Sequence, residues 1–87
     1  MIKVNAVENL AAAAAWDFRK AGYRSQPEGT NRVWCVSEGG LRYGVESFSC
    51  SRSRRTYYRV VNGHGEAEYG RYASVREATM KAVDFLR

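Results

Sequence analysis

Apolar residues along this chain fall into two stripes with helical spacing, separated by stretches that alternate. Val7, Leu10, Ala11, Ala14, Phe18 and Ala21 lie on one face at about 100° per residue, which predicts a helix from about Ala6 to Ala21. Asn5 is placed to cap it, with Glu8 as the reciprocal capping-box residue and Gly22 as the residue just past its end. Met1 to Val4 reads as a short extended lead. Trp16 points away from the apolar stripe. A neighbouring loop, Ser25 to Asn31, or a terminus covers it, or it is a contact residue. The second stripe is Val75, Ala78, Ala82, Phe85 and Leu86. Ser74-Val75-Arg76-Glu77 opens it as a capping box.

The stretch between the helices reads as strands and turns. Ser25 to Asn31, with its Gln-Pro-Glu-Gly chemistry, reads as a loop. Arg32 to Glu38 and Leu41 to Ser49 read as a hairpin joined by a two-residue Gly39-Gly40 turn. That turn pairs Val36 with Tyr43 and Trp34 with Val45. It places Trp34, Val36, Leu41, Tyr43 and Val45 on the core face, with Val33, Cys35, Arg42, Gly44 and Glu46 on the other. Arg55 to Val61 and Glu66 to Tyr72 form a second hairpin around Asn62-Gly63-His64-Gly65. Arg59 should face Glu68 there, and Tyr58 should face Tyr69. Tyr58, Val60, Ala67 and Tyr69 would look inward, and Tyr57, Arg59 and Val61 outward. The expected fold is α+β: a helix, a four-stranded antiparallel meander and a second helix, with both helices on one sheet face and the other face wet.

Size and charge narrow this picture. The 87 residues suffice for one domain, residues 1–87, and 45% hydrophobic content argues against global disorder. The net charge is +5, and arginine supplies eleven of the fourteen cationic residues. Arginine is favoured where planar, bidentate contacts matter, although a GC-rich coding sequence also raises its frequency. Four arginines, Arg52, Arg54, Arg55 and Arg59, fall within eight residues and surround the pair Tyr57-Tyr58. Guanidinium groups clasp phosphate oxygens and aromatic rings stack on bases, so nucleic acid or a nucleoprotein is the expected partner. The expected contact surface is Arg52, Arg54, Arg55, Tyr57 and Arg59, with Arg42 and Trp16 as lesser candidates. The bland alternative is a flexible, solvated hairpin loop.

No catalytic motif is present, and the expected role is non-enzymatic. His64 lacks an Asp, Cys or Ser neighbour in sequence and should serve its turn. Gly63, Gly65 and Gly70 follow a strand without opening a helix, so they make no phosphate-cradling loop. Cys35 and Cys50 have no zinc-ligand spacing and sit too far apart in the expected register to bond. No metal or cofactor is expected. No apolar run approaches the ~20 residues of a membrane span, and no signal-like segment is seen. The expected setting is the cytoplasm, with reduced thiols.

From Leu41 to Leu86 the chain resembles a double-stranded-RNA-binding domain. The resemblance rests on Tyr58-Arg59-Val60-Val61-Asn62-Gly63, Tyr69-Gly70, Ser74 and Glu77-Ala78. It implies a helix, three strands and a helix, and shape-based binding of A-form duplexes. The family's final-helix lysine cluster is replaced here by Val75, Arg76 and Thr79. Ser51-Arg52-Ser53-Arg54 stands in place of its Gly-Pro-x-His loop. A second expectation is an inhibitor encoded by a phage or mobile element, of the anti-CRISPR kind. It would set the same arginines against an acidic protein surface or a nucleoprotein complex.

Overall fold

The computed structural model describes residues 6–29 and 31–87. The expected lead Met1 to Val4 and the cap Asn5 lie outside the described residues, as do the side chains of Val7, Glu8 and Tyr69. Helix α1 spans Ala6–Lys20 and buries Leu10, Ala14 and Phe18. It closes with Tyr23 N–H donating to the Phe18 carbonyl at 2.9 Å and Gly22 N–H to that of Arg19 at 3.0 Å, a Schellman cap. Helix α2 spans Val75–Leu86, and the Ser74 hydroxyl accepts from the Glu77 N–H at 3.3 Å. Its buried residues are Ala78, Thr79, Ala82 and Val83. The small side chains let the helices lie close, and the Thr79 hydroxyl donates to Asp17 Oδ2 at 2.9 Å between them.

The sheet has five strands in the order β1-β2-β3-β4-β5, each antiparallel to its neighbour. They are β1 Arg24–Glu28, β2 Arg32–Val36, β3 Arg42–Ser49, β4 Thr56–Val61 and β5 Ala67–Tyr72. The antiparallel α+β class agrees with the sequence reading, but the meander has five strands and not four. The extra strand, β1, occupies the segment read as a loop. Its sequence, Arg-Ser-Gln-Pro-Glu, is polar and mostly exposed because it is an edge strand. Pro27 is tolerated at such an edge, where a missing N–H breaks no ladder.

Both helices cover one face. The core joins Leu10, Ala14 and Phe18 to Val33, Cys35, Val45 and Val60 from the sheet, and to Ala78, Ala82 and Val83. Tyr43, Tyr58 and Tyr72 pack at its margin. Full burial of a side chain such as Leu10 or Phe18 is worth about 1.5–3 kcal/mol.

The β2–β3 register differs from the expectation by one residue. Val36 pairs with Arg42, Trp34 with Gly44 and Val33 with Val45. The cause lies in the turn. Ser37 N–H donates to the Leu41 carbonyl at 2.8 Å and Gly40 N–H to that of Ser37 at 3.0 Å. The loop is thus Glu38-Gly39-Gly40, three residues, with Gly40 at φ +91 in the left-handed position that such a loop requires. One extra loop residue turns the whole of β2 over. Val33 and Cys35 therefore face the helices, while Trp34 and Val36 join Arg42, Gly44 and Glu46 on the far face. Leu41 lies outside the strand and is 69% exposed.

The second hairpin also has a three-residue loop, with Gly65 N–H donating to the Asn62 carbonyl at 2.9 Å. Val61 pairs with Ala67, Val60 with Tyr69 and Tyr58 with Tyr72, with shifts between them. The shifts part Arg59 from Glu68, which accepts from Asn62 Nδ2 at 3.1 Å, and on its other side Arg59 pairs with Glu46 of β3. Tyr58 and Val60 face inward as expected, but Ala67 is exposed.

Candidate functional site

The face away from the helices carries a thin layer of arginines, aromatics and one central carboxylate. Trp34 lies across Gly44, where an added Cβ would come within 2.8 Å of Val61 Cγ2 and 3.0 Å of the indole. Only glycine leaves that slot open. The Arg42 guanidinium sits 4.0 Å from the indole centroid and donates to the Gly63 carbonyl at 3.1 Å. Arg32 lies 5.4 Å from the same ring, and the indole N–H donates to Glu28. Trp34 is consequently 2% exposed, although it is on the face expected to be wet.

Glu46, also buried, bridges two arginines. Arg32 Nε donates to its Oε2 at 2.9 Å, and Arg59 Nε to its Oε1 at 2.8 Å. Burial alone would raise the Glu46 pKa. The hydrogen bonds and positive charges of Arg59 and Arg32 outweigh that and hold it below the usual carboxylate range. Arg59 also lies 4.9 Å from the Phe48 ring. Phe48 and Tyr57 are a cross-strand pair with centroids 5.9 Å apart, and Arg71 lies 5.6 Å from Tyr57.

This layer leads to the β3–β4 loop. Cys50 N–H donates to the Arg55 carbonyl at 2.9 Å and Arg54 N–H to that of Cys50 at 2.8 Å, closing the loop over Ser51-Arg52-Ser53-Arg54. Arg54 has φ +57, a conformation that costs a non-glycine residue about 1–3 kcal/mol. Arg52, Arg54 and Arg55 are exposed, and their side chains have no hydrogen bond or ion pair among the described residues. The Cys50 thiol is drawn down to about 7 by the backbone N–H and hydroxyl of Ser53, the backbone of Arg52 and the charge of Arg71.

The seven expected site residues thus separate into three groups. Arg52, Arg54 and Arg55 stand free at the hairpin tip, with Tyr57 half-exposed beside them. Arg42 and Arg59 are on the expected face but are bound into the Trp34 and Glu46 contacts. Trp16 is 60% exposed on the helical layer, so the segment now seen as β1 does not cover it. Lys20 Nζ lies 5.8 Å from its ring. The sequence reading missed Arg32, Phe48 and Arg71 as members of the face. The correct cross-strand pairing was the signal that would have found them.

Charge is also distributed along the strands. The β3–β4 loop and Arg71 lie at one end of the sheet. The β2–β3 and β4–β5 turns lie at the other and carry exposed Glu38 and Glu66. His64 sits at that second end in a concavity of about 570 Å³, with Arg42, Glu68 and Phe85 among its walls. Its backbone N–H donates to Asn62 Oδ1 at 3.0 Å. Among the described residues there is no cluster of His, Cys, Asp and Glu that could hold a metal ion. No described helix is long and apolar enough to cross a membrane. Of the positions that replace the resembled family's lysine cluster, Thr79 is buried and Val75 packs on the core, while Arg76 is exposed. Compared with protein-family models, curated proteins and solved structures, the chain matches none.

Proposed function

We propose that this chain is a small, non-enzymatic binding module for nucleic acid, free or within a nucleoprotein. Arg52, Arg54 and Arg55 contact phosphates, and Tyr57 and Arg71 flank them. The observation that carries this reading is the group of three exposed arginines at one hairpin tip, none with an acidic partner among the described residues. Other arginines on the face are consumed by Glu46, Trp34 and Phe48. These three are not, and one of them is held in a conformation that glycine would adopt at lower cost. Binding to phosphates would release counterions, so affinity falls with salt by about 0.7–0.9 log-log units per phosphate. The test is filter retention of labelled DNA and RNA across a salt series. Replacing Arg52, Arg54 and Arg55 with Ala should flatten the slope by about 2–3 units. Failure to retain any nucleic acid at low salt overturns the proposal.

A second reading draws on the helical layer. Trp16 is 60% exposed and Met80 59%, and phosphate binding uses neither. Tryptophan and methionine are enriched where proteins meet. This favours docking on a protein or nucleoprotein complex, as an inhibitor of the phage or mobile-element kind would do. It predicts that Trp16→Ala weakens capture of a protein partner from nuclease-treated lysate, whereas the nucleic-acid reading predicts no effect of Trp16→Ala on binding.

A further inference from the structure

We infer that the nucleic acid taken by this face is single-stranded, with a base stacking on the Tyr57–Phe48 pair while the hairpin-tip arginines hold the adjoining phosphates. The inference rests on the nucleic-acid reading above and specifies its substrate.

Trp34, the largest ring on the face, is unsuited to stacking. It is 2% exposed, lies under Arg42 and spends its N–H on Glu28. Tyr57 and Phe48 differ, because both are half-exposed; Arg59, bound to Glu46, lies 4.9 Å from Phe48, so Tyr57 is the ring a base can reach and Phe48 backs it. They sit one rung from the Ser49–Thr56 pair and two from Cys50 and Arg55, where the loop begins. At strand rise that is about 7 Å, so one short strand can reach both the rings and the tip. Arg71 rests on Tyr57 only through a cation–π contact at 5.6 Å. Such a contact at an exposed site is weaker than base–aromatic stacking. An incoming base can therefore displace Arg71, which remains close enough to pair with a phosphate. A duplex offers no such exchange. Its base faces are stacked on one another, leaving only edges and backbone in reach. A β-ribbon entering the major groove would use the tip and leave Tyr57 idle.

The experiment compares fluorescein-labelled oligothymidine of about twelve nucleotides with a duplex of equal length by anisotropy at low salt. The single strand should bind at least ~10-fold more tightly. Tyr57→Leu should weaken single-strand binding about 5- to 100-fold without changing its salt slope, and Tyr57→Phe should restore it. As a check independent of variant folding, iodouracil-substituted oligonucleotide should photocrosslink wild-type protein at Tyr57 or Phe48. Equal or tighter duplex binding overturns the inference but leaves the proposed function standing. So does a crosslink found only elsewhere, or full affinity in Tyr57→Leu. If neither probe binds, both fail.

Discussion

Replacing Glu46 with Gln tests whether the arginine layer is held by its central carboxylate. The carboxylate receives Nε donors at 2.8 and 2.9 Å, each from an arginine that also offers Nη2. Hydrogen bonds to a charged group contribute about 1.5–3 kcal/mol each. Several effects reduce the net loss. Gln keeps one carbonyl acceptor, and removing the charge also removes its desolvation cost. Arg32 and Arg59 remain 24% and 39% exposed, so water can take over part of their solvation. The expected loss is therefore about 1–2 kcal/mol near neutral pH. In urea, that shifts the midpoint of a small domain by about 1 M. The pH dependence gives a second constraint. The Glu46 pKa is lowered in the folded protein, so its contribution is present above the unfolded value of about 4.3 and is lost as pH falls through the folded value. The gap between wild type and Glu46→Gln should narrow as pH falls below the unfolded value of about 4.3. A gap that does not narrow on acidification, or a variant as stable as wild type near neutral pH, would refute the reasoning.

Two further outcomes follow from burial and charge. Cys50 should react with a thiol reagent in the native protein with a half-maximal rate near pH 7. Cys35, fully buried and raised by burial to about 12, should react only on unfolding, and equal native reactivity would contradict the structure. Trp16→Ala should change unfolding free energy by no more than about 0.5 kcal/mol in a urea titration, since an exposed side chain leaves no cavity.

Helices were easily read from this sequence because their signals are local. The Leu10-Ala14-Phe18 stripe, the Gly22 terminator and the Ser74 cap each lie within a few residues of what they specify. Sheet pairing was harder for a definable reason. Gly39-Gly40 looks like a two-residue turn, and nothing in the strands themselves distinguishes that from Glu38-Gly39-Gly40. Val33, Trp34, Cys35 and Val36 are all apolar enough for either face, so hydrophobicity could not correct the error. Strand β1 was invisible because a polar edge strand containing Pro27 lacks the alternation that marks a half-buried one. The candidate site was partly legible: the loop arginines stand where their exposed, polar run suggested. The binding of Arg42 and Arg59 into structural contacts was not legible, because it depends on Trp34 and Glu46 sharing their face.

The separation of Arg52, Arg54 and Arg55 from Glu38 and Glu66, at opposite ends of the strands, sets how this molecule would meet a polyanion. A net charge alone draws a protein inward without choosing its orientation. The end with Glu38 and Glu66 also carries exposed Arg24 and Arg42 and is mixed in charge, whereas the β3–β4 tip is uniformly basic, and so uneven a distribution would also exert a torque. That torque would turn the β3–β4 tip toward a polyanion before contact, so that a larger share of collisions would begin with the tip in front. It acts over roughly a Debye length, about 10 Å at 0.1 M salt, and so belongs to the encounter and not to the final contacts.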